Sequence, residues 1–170
     1  MISLQKHWQG IPKDQVGAIW EAIQSNAFCV VAAQVFRLSK VDAGEFLEVY
    51  KGVLAEYPDL ISEFTSGPCV ALHVTQADSD QDTSRNPEDP LSVQQRFREL
   101  AGPMDPDIAR YLRPNTIRAK FGVNLVKNAI HCTDLPEDVP LERLKTVVYA
   151  LNSQIPAHAS TKLKLLLCTL

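Results

Sequence analysis

Two runs dense in β-branched and aromatic residues constrain the fold more than any other feature: Phe28-Cys29-Val30-Val31-Ala32-Ala33-Gln34-Val35-Phe36 and Cys69-Val70-Ala71-Leu72-His73-Val74. Each favours a buried strand. Their surroundings are helical in spacing. Pro12-Lys13-Asp14 opens a helix whose Val16, Ile19, Trp20 and Ile23 make one buried face, ending at Asn26. Between the two runs, Asp42 is placed to cap a helix with Phe46, Tyr50, Val53, Leu54 and Tyr57 facing inward. Pro58-Asp59 restarts a shorter helix to about Phe64, and Ser66-Gly67-Pro68 turns the chain into the second run.

Ile2 to Lys6 reads as a short first strand, and Phe121 to Ile130 contains the last. From Ala77 to Pro90 polar residues dominate and periodicity vanishes, which predicts a flexible surface loop within the domain. Pro90 then starts a helix with Val93, Phe97 and Leu100 inward, stopped by Ala101-Gly102-Pro103. Asp105-Pro106-Asp107 caps the next, which ends before Pro114. Leu141, Leu144, Val147, Val148 and Leu151 mark a final amphipathic helix. This order predicts an α+β domain over residues 1–151: an antiparallel, split βαβ sheet covered by helices on one face. Residues 152–170 form a tail whose apolar run, Leu163 to Leu167, is expected to dock on the domain or on a partner.

Composition narrows the function classes. A net charge of -3 gives no support for non-specific nucleic-acid or membrane binding. Four scattered cysteines make no CxxC pair, so zinc and disulfide frameworks are disfavoured and a reducing compartment is the simpler inference. Without a membrane-length apolar run or a signal-peptide core, the chain is expected to be soluble and cytoplasmic.

Chemistry concentrates in Lys127-Asn128-Ala129-Ile130-His131-Cys132-Thr133-Asp134. A strand ending at a histidine, with a hydroxyl and a carboxylate beside it, can present an oriented imidazole nucleophile. Thr133 or Glu142 is placed to hydrogen-bond one ring nitrogen, and Arg98 and Arg118 to take phosphate oxygens bidentately. A lone strand-end histidine is more often packed or on the surface, and a single arginine is more often solvated. There is no P-loop, His7, His73 and His158 lack metal spacing, and the flanks of Cys132 match no cysteine-enzyme pattern.

Several motifs in order carry a resemblance. Ser66-Gly67-Pro68, Arg98-Glu99-Leu100-Ala101-Gly102-Pro103, Asn115-Thr116-Ile117-Arg118 and Asn128-Ala129-Ile130-His131 are similar to the signature of nucleoside diphosphate kinases. The resemblance runs from about Val16 to Leu151. Asp105-Pro106-Asp107-Ile108-Ala109-Arg110 and His131-Cys132-Thr133-Asp134-Leu135-Pro136 resemble one branch, the C-terminal kinase domain of the flagellar and ciliary nucleoside diphosphate kinase 7 type. The resemblance implies a ferredoxin-like βαββαβ core and ping-pong γ-phosphate transfer through a phosphohistidine at His131. It implies phosphate contacts from Lys6, Arg98 and Arg118, a sugar contact from Asn128, imidazole support from Thr133 and Glu142, a site-lining Tyr50, and Tyr57 near the base-stacking position. The substrates implied are nucleoside di- and triphosphates, with Mg2+ held on the phosphates of ATP or NDP rather than by protein ligands. The branch also implies an alternative: a structural subunit of the ciliary or flagellar axoneme, with tubulin and other axonemal proteins as partners.

Departures from the family fall in two places. The family's first strand ends in Lys-Pro, whereas Lys6 is followed by His7-Trp8. Met104 stands where a phosphate-binding threonine is typical, and losing one such contact to a transferring phosphate costs about 3–4 kcal/mol. Three extra residues before Pro114 and the long 77–90 loop argue against the family's trimer or hexamer assembly.

Overall fold

The computed structural model describes residues 2–4, 14–76, 93–132 and 165–169. In chain order the elements are β1 (Ile2–Leu4), α1 (Asp14–Ser25), β2 (Phe28–Phe36), α2 (Lys40–Phe46), a 3-10 turn (Glu48–Tyr50), α3 (Tyr57–Thr65) and β3 (Cys69–Gln76). They continue with α4 (Val93–Ala101), α5 (Pro106–Leu112), α6 (Ile117–Phe121), β4 (His131–Cys132) and β5 (Leu165–Thr169). The sheet order is β1-β5-β3-β2, with β1 also pairing to β3. β3 is antiparallel to β1 and β2, as a split βαβ sheet requires, while β5 runs parallel to β3. The loop expected at 77–90 and the helix expected over Leu141 to Leu151 lie outside the described residues.

Helices cover both faces of this sheet, not one, and β3 shows why. Successive strand residues point to opposite faces. Val70, Leu72 and Val74 enter a core with Ile19 and Ile23 of α1, Phe97 of α4 and Ile117 of α6. Cys69 and Ala71 enter a second core with Ala43 and Phe46 of α2 and Leu60 and Phe64 of α3. A strand apolar on both faces was legible in its unbroken run; the second helical layer was not.

β2 has the expected bounds but not the expected burial. It is an edge strand, buried at Phe28 and Phe36, half-buried at Val30 and otherwise exposed, with Val31 at 56%. Pairing with β3 slips by one residue between Val30 and Ala32, a bulge at Val31. One extra residue reverses the alternation. Phe28 and Val30 therefore face the first core, where Phe28 meets Phe97 edge-on at 5.1 Å, and Phe36 faces the second.

Local chemistry corrects two helix expectations. Ser39, not Asp42, caps α2: the Asp42 N–H donates to Ser39 Oγ (3.2 Å) and the Ser39 N–H donates to the Asp42 carboxylate (3.0 Å), a capping box. The helix stops at Phe46 instead of running on to Tyr57, because the chain tightens to a 3-10 turn and then takes φ +77° at Gly52, leaving Val53 exposed. Asp105 does cap α5, accepting from the Asp107 N–H at 2.8 Å.

The strand expected within Phe121 to Ile130 is absent among the described residues. Phe121 instead ends α6, and an irregular segment follows. The side-chain oxygen of Asn124 accepts from the Val126 N–H (3.1 Å) and the Lys127 N–H (2.8 Å), which withdraws those donors from any ladder. Ala129 takes φ +72°, and only His131 and Cys132 are extended as β4. The histidine begins the strand rather than ending it.

Candidate active site

Alternation at β4 separates His131 from its neighbours. Ile130 and Cys132 enter the first core, whereas the imidazole turns the other way. It meets Phe46 of α2 (ring centroids 5.1 Å), Phe64 of α3 (6.1 Å) and Tyr50 of the 3-10 turn (6.1 Å). These three rings restrict the imidazole, which is 8% exposed, to a few orientations. The early end of α2 is what lets Tyr50 reach it. Helical spacing alone marks Phe46 and Phe64 simply as core and gives no sign of this contact with the imidazole.

What remains open beside the imidazole is a cleft of about 440 Å³. Tyr50, Arg98, Arg118, Asn128 and His131 all line it, so five of the residues picked from sequence converge here. Glu99, Gly102, Pro103, Met104, Leu112 and Arg113 also line it. Tyr57 is outside it: its hydroxyl donates to the Gly44 carbonyl at 3.3 Å and its ring packs against the second core. Lys6, Thr133 and Glu142 lie outside the described residues. Another cleft of about 400 Å³ opens between Phe28, Gln76 and α4, with no histidine in its lining.

Arg118 has a role that its charge alone did not announce. It is 8% exposed, and its fork grips backbone. Nε–H and an Nη2–H donate to the Ile130 carbonyl (3.2 and 3.0 Å), an Nη1–H to the Gly102 carbonyl (2.8 Å), and Nη2 also reaches Cys132 Sγ (3.7 Å). Of the five N–H groups a guanidinium offers, one on Nη1 is left for the cleft. The side chain thus ties the residue before His131 to the end of α4, and a bidentate phosphate clamp from Arg118 requires breaking that tie.

The remaining wall is shaped by backbone. Gly102 takes φ +85° behind α4, and a Cβ there would be driven into the Thr116 side chain. Thr116 Oγ1–H and N–H both donate to the Arg113 carbonyl (2.8 and 3.1 Å), and the Arg113 N–H donates to Ala109 O (2.8 Å). Asn128, 4% exposed, reaches across to the Met104 carbonyl at 3.4 Å through Nδ2. Met104 itself brings a thioether, which donates no hydrogen bond. A caged imidazole in a cleft walled by arginines can accept and return an anionic group. Among the described residues no group of three or more His, Cys, Asp or Glu could hold a metal ion.

Comparison with known proteins points to one family. The family model "Nucleoside diphosphate kinase" matches residues 8–146. Over 132 residues, 78% of this chain, the sequence is 46% identical to nucleoside diphosphate kinase homolog 7 of Rattus norvegicus, and spans 30% of that protein's length. It is 33% identical to the nucleoside diphosphate kinase of Aquifex aeolicus over 130 residues, covering 76% of this chain and 81% of the bacterial one. The crystal structure of the Aquifex aeolicus enzyme superposes with a TM-score of 0.67 at 31% identity, over 85% of this chain and 91% of that one. The Encephalitozoon cuniculi enzyme, at 16% identity and a TM-score of 0.65 over 94% and 93% of the two chains, shares the fold.

Proposed function

This chain belongs to the nucleoside diphosphate kinase family, and from that premise we propose that its cleft binds nucleoside di- and triphosphates and moves a γ-phosphate through His131. The observation that carries the reading is the caged imidazole of His131 sharing one cleft with Arg98, Arg118, Asn128 and Tyr50. In the first half-reaction an imidazole nitrogen attacks the γ-phosphorus of a triphosphate. The N–P bond forms as the bond to the β–γ bridging oxygen breaks, and that electron pair leaves with the diphosphate. In the second, the terminal β-phosphate oxygen of another diphosphate attacks the same phosphorus, and the N–P electron pair returns to the ring.

This chain's residues supply position and charge. Phe46, Phe64 and Tyr50 hold the imidazole, and Arg118 holds the backbone of Ile130 behind it. Arg98 takes a nucleotide phosphate, Arg118 adds its remaining N–H, and Asn128 is placed for a sugar hydroxyl. The family resemblance assigns Thr133 and Glu142 to orienting the ring and Lys6 to the γ-phosphate, while Tyr57, held outside the cleft, drops out of the base contact. A divalent ion such as Mg2+, held by the nucleotide's own phosphates, would offset part of their charge. With a thioether at Met104 in place of a hydroxyl, turnover runs two to three decades below a member that has the threonine, on the order of the 3–4 kcal/mol that one such donor contributes. The test is exchange: protein incubated with γ-labelled ATP should take up acid-labile, base-stable label and pass it to GDP. No label, under conditions where the Aquifex aeolicus enzyme labels, sinks the reading.

A second reading is structural, and α5 favours it. Ile108, Tyr111 and Leu112 lie at helical spacing on one face and are all exposed, Tyr111 at 87%. An apolar face of this kind suits docking, and the resemblance to the ciliary branch makes axonemal proteins, tubulin among them, the candidate partners. The two readings are compatible. High-salt extraction of axonemes tests the docking reading: a docked subunit stays with the doublets, whereas release with cytosolic proteins counts against it.

A further inference from the structure

Building on the nucleotide-binding reading of this cleft, we infer that Arg113, at the C-terminal end of α5, is a second phosphate-receiving cation in addition to Arg98 of α4. Three arginines line the cleft: Arg98, Arg113 and Arg118. Arg118 spends its fork on the Ile130 and Gly102 carbonyls, so it is a strut with a single N–H to offer. Met104 donates nothing from its side chain, and the Asn128 amide nitrogen is engaged by Met104 O. A polyphosphate placed before His131 therefore needs a further fork of donors, and Arg113 is built to provide it.

Its backbone is fixed by three hydrogen bonds: the N–H to Ala109 O, and the carbonyl accepting twice from Thr116. Arg113 is exposed and lines the cleft, and its guanidinium makes no ion pair or hydrogen bond among the described residues. The side chain is thus anchored at its root and unspent at its tip. Such a fork suits two oxygens of a phosphate, where an ammonium would act only as a point charge. It also stands at the C-terminal end of α5, where a cation is favourable for the helix alone. The two roles differ in what they predict.

The test uses the full chain, with Mg-ADP and adenosine as probes, titrated calorimetrically into wild type, Arg113→Met and Arg113→Lys. Because the site is at the rim and partly screened, the methionine variant should bind ADP about five- to tenfold more weakly and adenosine equally well, with the lysine variant between. The difference should shrink as salt is raised toward 1 M. Equal ADP affinity in wild type and Arg113→Met overturns the inference while leaving the nucleotide reading intact. So does a fall in thermal stability with no change in ADP affinity, the result expected of a helix-end cation. If wild type itself binds neither probe, the nucleotide reading falls and this inference with it.

Discussion

Replacing Arg118 with lysine distinguishes a strut from a ligand. In the structure the guanidinium satisfies two carbonyls at once, Ile130 O through two N–H groups and Gly102 O through a third. A lysine ammonium is a single point on a flexible stem and can reach one of them at best. Ile130 is fully buried, so its carbonyl has no recourse to water, and Gly102 is partly buried. Leaving a buried acceptor unpaired costs about 1–3 kcal/mol, and hydrogen bonds from a charged donor lie toward the upper end of that range. Arg118→Lys should therefore lose about 2–4 kcal/mol, a drop of about 4–16 °C in Tm for a chain of this size. Urea denaturation followed by tryptophan fluorescence or circular dichroism reads it, with a lower midpoint at constant slope. Were Arg118 simply a phosphate ligand, the variant would lose ADP affinity at an unchanged midpoint. That pattern refutes the strut.

Other expectations are smaller in scope. Gly102→Ala combines positive φ with a collision against Thr116, and should cost at least about 2 kcal/mol in denaturant while loosening Arg118. On β2, Val31→Lys at the exposed bulge should change stability by no more than about 0.5 kcal/mol, whereas Phe36→Ala in the second core should cost about 3–5; equal losses would mean that β2 is not an edge strand. Met104→Thr returns a hydroxyl donor to the cleft wall and should speed phosphoenzyme formation by about two to three decades in rapid-quench measurements.

Strands and helices were legible wherever periodicity and burial agree. β2 and β3 fall where their apolar runs lie, and α1 opens at Asp14 as its spacing requires. Legibility failed where a side chain redirected the backbone. The residues Val123 to Lys127 look strand-like until Asn124 captures two backbone donors, and Tyr50 continues a helical face until Gly52 turns left-handed. Burial of β2 was misjudged because a one-residue bulge, invisible in composition, decides which face each valine takes. Within the site, residue types were readable and tasks were not. Arg98, Arg118, Asn128, Tyr50 and His131 do meet in one cleft, but only the fold shows that Arg118 grips carbonyls while Arg113 lines the cleft with no hydrogen bond from its guanidinium among the described residues.

Central to the whole account is a covalent bond to His131. Phosphorus NMR of the protein after incubation with Mg-ATP and removal of nucleotide, in wild type and in His131→Gln, observes that bond directly. A phosphoramidate resonance in wild type that disappears on adding GDP and is absent from the variant is the predicted result. A resonance that survives the substitution, or a wild-type protein that binds ATP yet stays unphosphorylated, would contradict it.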